Sequence, residues 1–347
     1  MKQFILILVV FGLVGYVAWA FYNTDKKIDD FAKSSTTTEA TVTEPQQTNS
    51  EKDTTTLGSI VILGNLILDG AEYSVPSAGF NNQLTEYLKS ANCRLAPLQS
   101  PLKGQHINTS RSNYQEASEK AYNLLNQLDI SMVGIGQGHF IDQGNDGVNN
   151  SKSWLDNQSI AYSGASNQDS DPYHAATINC GQLRVGIISS TEDDNSSGNG
   201  VKLALNEKLT ASVKSLKAQT DFVIVMTDWA EDASKFVSPY QKGIAHSLID
   251  SGADLVVGNH PQFIQTMENY NNRLIFYSLG NFLVPSKYNE NKSEGMTVKL
   301  TISEASVSAD IVPLSNTKSD PTIVTDNLPE TYLQTLGLES WSANFKR

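Results

Sequence analysis

Apolar residues fall into short β-branched runs separated by longer stretches with helical spacing, and this alternation predicts a layered α/β fold with central β-sheets flanked by helices. Ser59 to Leu68, SIVILGNLIL, reads as a buried first strand broken at Gly64-Asn65, with a loop beginning near Asn65. Tyr114 to Leu128 carries Ala117, Ala121, Leu124, Leu125 and Leu128 on one helical face, and Ile130 to Ile135 follows as a strand. Ser153 to Asn157 belongs to another expected helix, after the turn residues Asn145-Asp146-Gly147, and Leu183 to Ser189 and Asp221 to Met226 are further buried strands. Ser238-Pro239 opens a helix that turns Ile244, Leu248 and Ile249 inward; Gly252 stops it, and Ala253 to Val257 forms the next strand. Met296 to Ile302 and Ser306 to Ile311 alternate like an antiparallel hairpin. Strands end in polar or small residues, at the position where open α/β sheets place their ligand sites.

The N-terminus departs from this pattern. Phe4 to Tyr22 is uncharged and mostly apolar, and a helix over it, rising about 1.5 Å per residue, would nearly span a hydrocarbon core of about 30 Å. Ala18-Trp19-Ala20 offers a signal-peptide cleavage site, yet the apolar run continues through Phe21 and Tyr22, which favours a retained anchor. Lys33 to Thr56 is rich in Ser and Thr, with Val42 its one large apolar residue, and cannot offset the entropy of ordering itself. The expected organisation is a membrane segment over 1–23, a disordered tether over 24–56, an α/β domain over 57–315 and a C-terminal extension over 316–347. It describes a single-pass membrane protein whose globular part lies outside the cytoplasm.

Composition narrows the partners. The net charge is −12, from 37 acidic and 25 basic residues, with no dense Lys/Arg run, and this argues against nucleic acid. An anionic polymer would need a local basic patch to overcome the global repulsion. Cys93 and Cys180, the only cysteines, fit either one disulfide or two buried thiols, with the thiols preferred.

The densest chemistry lies between Asp254 and Leu283, where one strand runs into Gly258-Asn259-His260-Pro261-Gln262 and a second ends in Ser278-Leu279-Gly280-Asn281-Phe282. This stretch resembles the capsule-synthesis CapA (poly-gamma-glutamate synthesis PgsA) family, whose turn usually reads Gly-His-His-Pro-His and whose fold is similar to that of calcineurin-like metallophosphoesterases. The resemblance covers roughly Ser59 to Pro313. It implies a metallophosphoesterase-like site in which His139 and His260 are catalytic candidates, with His139 as proton donor, a task for which imidazole, titrating near neutral pH, is suited. Asn65, Arg94, Asn259, Gln262 and Asn281 are the substrate-binding candidates, Arg94 through its planar fork. Asn281 is expected to pin its loop by hydrogen bonds as well. Asp142 either orients His139 or caps the following loop, with capping preferred, and Trp229 supports the rim by packing.

Departures from the family pattern fall on the metal positions. Asn65 stands where the family has aspartate, Cys93 to Leu98 lacks the family's glutamate, and Asn259 and Gln262 replace histidines. Two divalent ions about 4 Å apart repel by roughly 15 to 20 kcal/mol at an effective dielectric near 20, so a dinuclear centre needs anionic ligands. Only Asp228, with Glu231 close by, is left to supply them. The expectation is therefore no dinuclear centre; Asp228, His139 and His260 could hold one divalent ion, Mn, Fe or Zn. The resulting functional expectation is a membrane-anchored CapA-like protein with a degenerate metal site, binding an anionic polymer or capsule-assembly proteins. The alternatives are an active mononuclear phosphoesterase and a structural envelope domain.

Overall fold

The computed structural model describes residues 55–69, 80–104, 114–165, 173–191, 207–229, 234–285, 294–317, 320–324, 333, 336 and 342–346. Phe4 to Tyr22, nearly all of the tether and Glu231 lie outside these residues. Among the described residues no helix is long and apolar enough to cross a membrane.

The chain opens with β1 (Thr56–Ile62), β2 (Asn65–Leu66), α1 (Asn82–Lys89), β3 (Cys93–Pro97), α2 (Glu119–Gln127), β4 (Met132–Gly134), α3 (Gly144–Asn157) and β5 (Ala161–Ser163). It continues through β6 (Ala176–Cys180), β7 (Leu183–Thr191), α4 (Glu207–Lys217), β8 (Phe222–Asp228), α5 (Pro239–Asp250) and β9 (Leu255–Asn259). The last elements are β10 (Met267–Tyr270), β11 (Arg273–Phe276), β12 (Asn281–Leu283), β13 (Glu294–Ser303), β14 (Ser306–Thr317), β15 (Asp320–Ile323) and β16 (Ser342–Lys346). One sheet has the order β15-β14-β13-β1-β3-β4-β5, with β16 on β14; a second has the order β10-β11-β9-β8-β7-β6; β2 and β12 form a short third.

Strand alternation sorts the core into layers. Ile60, Ile62, Leu95, Met132, Val298 and Leu300 of the first sheet meet Val185, Ile187, Ile224, Met226, Leu255 and Val257 of the second. Their neighbours Val61, Leu63, Ala96 and Val133 point the other way, onto Leu84, Leu88, Ala121, Leu125 and Leu155 of α1, α2 and α3. Ile188, Val223, Val225 and Val256 pack on Leu209 and Val213 of α4 and on Ile244 and Leu248 of α5. The result is a helix, sheet, sheet, helix sandwich, in which each fully buried aliphatic side chain contributes about 1.5–3 kcal/mol. β1, β3, β4 and β5 run parallel, as do β7, β8, β9 and β11, so both sheets end their parallel strands along one rim.

Several expectations change in detail. The helix expected from Tyr114 begins at Glu119, because Ala117 is tied into a loop by its N–H bond to Pro101 O (2.7 Å) and Ser118 then caps the helix by accepting from Ala121 N. The helix placed at Ser153–Asn157 starts back at Gly144. Asn65 does not open a loop but begins β2, which pairs in parallel with β12 at Asn281. Ser238 starts α5 with a full capping box and Pro239 in its first turn, as the sequence indicates. Residues from the stretch 316–347 supply β15 and β16 to the first sheet.

The cysteines correct the preferred thiol reading: Cys93 and Cys180 form a disulfide with Cα atoms 5.5 Å apart. They begin β3 and end β6, so the bond joins the two sheets at the end opposite the rim. Strand register brings together two residues that the sequence separates by 87 positions.

Candidate functional site

The rim between the two sheets collects His139, Asp142, Asp228, Asn259, His260 and Asn65, and packing dictates how each is held. Gly258, the second-last residue of β9, can only be glycine: an added Cβ would lie 1.9 Å from Trp229 Nε1 and 2.1 Å from Tyr277 O. The buried indole crosses directly over it and donates to Tyr277 O at 2.7 Å, giving Trp229 its supporting role at the rim. Beyond β9 the chain turns sharply, with His260 at φ 87°, a conformation costly for a residue with a side chain.

Asn65 holds that turn. Its Nδ2 donates to Pro261 O (3.2 Å) and Asn281 Oδ1 (3.1 Å), while its Oδ1 accepts from His260 N (3.1 Å) and Gln99 Nε2 (3.3 Å). All four hydrogen-bonding positions of the amide are therefore spent within the protein. Asn65 and Asn281 are both fully buried. Neither meets the expectation of a substrate contact; they join the β2 and β12 strands to the β9 turn, in line with the pinning role foreseen for Asn281.

The two histidines form paired dyads. His139 Nδ1 lies 2.8 Å from Asp142 Oδ2, which also accepts from Gln115 N at 2.7 Å. Asp142 thus orients the imidazole, and the preferred capping role is corrected. His260 Nδ1 lies 3.1 Å from Asp228 Oδ1, and Asp228 Oδ2 accepts from Gly138 N at 3.0 Å. The rings are parallel, with centroids 6.1 Å apart. Both carboxylates are fully buried.

Arg94 is placed elsewhere. It sits at the start of β3, its guanidinium on Asp129 Oδ2 (2.9 Å) and Ala91 O (2.8 Å), far down the strand from the rim. The residue that does arrive at the rim after β3 is Gln99, which the sequence reading passed over. The Pro97-Leu98-Gln99 run after the strand was the signal available for it. Gln137 was passed over too; it lies between Gly136, packed against the Ser189–Ser190 backbone, and Gly138.

The residues present do not fit a dinuclear metal centre. Asn65 has no lone pair to spare, and Asn259 and Gln262 bring uncharged amides where a dinuclear centre needs anionic ligands. Asp228, His139 and His260 are brought to the same rim, with Asp228 on His260 and Asp142 on His139. Among the described residues no group of three or more His, Cys, Asp or Glu side chains is arranged to hold a metal ion.

Residues 21–286 match the family model described as bacterial capsule synthesis protein PGA_cap. The chain is 23 % identical over 259 residues to the capsule biosynthesis protein CapA of Bacillus anthracis, covering 71 % of this chain and 63 % of that protein. It is 23 % identical over 205 residues to the PGA biosynthesis protein CapA of Bacillus subtilis, covering 54 % of this chain and 53 % of that one. The chain thus spans between about half and two thirds of these relatives. Among solved structures, a hypothetical protein of Thermus thermophilus is similar at a TM-score of 0.43 and 12 % identity, over 76 % of this chain and 96 % of that one. A 5'-nucleotidase of Candida albicans is similar at a TM-score of 0.39 and 11 % identity, over 70 % of this chain and 47 % of that one.

Proposed function

Because the chain belongs to the bacterial capsule synthesis protein family PGA_cap, we propose that it serves capsule or poly-gamma-glutamate assembly as a binding protein that works without a resident metal. The observation that carries this reading is the state of Asn65. The position that would begin a metal centre is instead a buried amide with every hydrogen-bonding site engaged by Pro261, Asn281, His260 and Gln99. A side chain so held cannot turn toward an ion without breaking the β9 turn. The ligand is an anionic polymer or an assembly partner, consistent with the roles in capsule and PGA biosynthesis for which the two Bacillus relatives are named.

The proposed location is the outer face of a bacterial membrane, anchored through Phe4 to Tyr22. The Cys93–Cys180 bond supports it, since disulfides persist in oxidising compartments.

Metal analysis of the purified protein, combined with turnover of a generic phosphodiester and binding of poly-gamma-glutamate, tests the reading. The expected outcome is no stoichiometric metal, no turnover, and binding of the polymer. Stoichiometric Mn, Fe or Zn together with turnover lost in His260→Ala would overturn it in favour of a mononuclear hydrolase.

A further inference from the structure

Buried polar atoms without a hydrogen-bond partner are rare in folded proteins, and their location is informative. Five such amide atoms gather here: Gln137 Nε2 and Oε1, Asn259 Nδ2 and Oδ1, and Gln262 Oε1. Gln137 is fully buried and Asn259 is 2 % exposed. The hydroxyls of Ser190 and Thr227, register partners on β7 and β8, are of the same kind and belong to the same strand ends.

The three amides belong to residues that neighbour one feature. Gln137 immediately precedes the Gly138 N–H that bonds Asp228; Asn259 is the register partner of Asp228 across β8 and β9; Gln262 follows His260 by one turn residue. Together they carry both donors and acceptors in the segments next to the Asp228–His260 pair. The local charge decides what they would accept. Asp142 and Asp228 are buried carboxylates, and none of the residues that form this site is Lys or Arg. A carboxylate or phosphate would meet like charge with no Lys or Arg among the described residues of the site to offset it, whereas an uncharged group that both donates and accepts would be matched on each side.

We infer that Gln137, Asn259 and Gln262 form a recognition site for a secondary amide, the linkage of a glutamyl chain, with the chain's carboxylates kept outside. This rests on the polymer-binding reading above and specifies which part of the polymer is held. No bond is made or broken; the site is a hydrogen-bonding cradle.

The test is calorimetric titration of the full chain with a γ-linked glutamyl oligomer, with glutarate, which keeps carboxylates and lacks the amide, and with a glucose oligomer, which lacks both. Wild type is compared with Gln137→Met and Asn259→Leu. The glutamyl oligomer is expected to bind and glutarate to fail, and each variant to bind about tenfold more weakly, the scale of one or two lost hydrogen bonds. Both variants should also melt at a higher temperature than wild type without ligand, because each removes buried polar atoms that the fold does not satisfy. Variants that melt lower would overturn the inference, as would binding of the sugar oligomer alone. Glutamyl binding that both variants keep undiminished overturns the amide site and leaves the polymer-binding function standing. No glutamyl binding by wild type overturns both.

Discussion

Two sets of carboxamides meet at the rim, and their circumstances are opposite. Asn65, Gln99 and Asn281 bond to one another and to the β9 turn, with Asn65 using every donor and acceptor it has. Gln137, Asn259 and Gln262, on the other side of His260, keep buried amide atoms that the fold leaves unengaged. Asn65 in the first set and Asn259 and Gln262 in the second stand where the family resemblance leads one to expect aspartate or histidine, yet the physical result differs. In the first, the amide has become a structural rivet, which an ionised carboxylate could not be, because an amide donates as well as accepts. In the second, the same chemical change leaves buried donors and acceptors without a partner in the fold. The identity of a substituted residue therefore says little about its role until its partners are known.

The harshest way to break this contrast is to remove the turn that both sets share. Gly258→Ala drives a methyl group into the Trp229 indole and the Tyr277 carbonyl, and neither can retreat. A loss of about 4 kcal/mol in urea denaturation is expected, with both sets disrupted together. Asn65→Asp, which restores the family's residue, separates them. Its second oxygen would face two acceptors, Pro261 O and Asn281 Oδ1, where an N–H₂ now donates. A destabilisation of about 3 kcal/mol should follow, with no gain in metal content, and a variant as stable as wild type would dissolve the contrast.

The smallest effect lies outside both sets and serves as their control. Burial pushes the Glu268 carboxyl pKa up, but hydrogen bonds from Tyr277 and His246, with the positive charges of His246 and Lys242, outweigh that and hold it below the usual carboxylate value. Its folded-state pKa is thus depressed, so the stability it contributes is present above the unfolded pKa and lost as pH falls through the folded one. Glu268→Gln should flatten that acid limb in pH-dependent melting without changing the binding attributed to Gln137 and Asn259.

Much of the fold was legible because buried strands and capped helices are local. The SIVI run, the 221–226 strand and the Ser238-Pro239 helix start all stand as the periodicity indicates. Helix α1 left little trace, since only Leu84 and Leu88 are buried in it, and β5 is too short to show a period. The site was legible as an address and not as a set of contacts. Asn65 finds its partners 196 and 216 residues away, at Pro261 and Asn281, distances no sequence window spans. The motif around Arg94 points to the rim, while strand register sets that residue beside Ser131 and Asp129 and delivers Gln99 instead.

The bond between Cys93 and Cys180 has a further consequence for how the molecule would be handled by proteases. A single cut anywhere between those residues would separate the polypeptide into two pieces and leave them covalently joined. Such a nicked molecule would migrate as one species without reductant and as two with it, so damage in that interval would pass unnoticed until the sulfurs were parted.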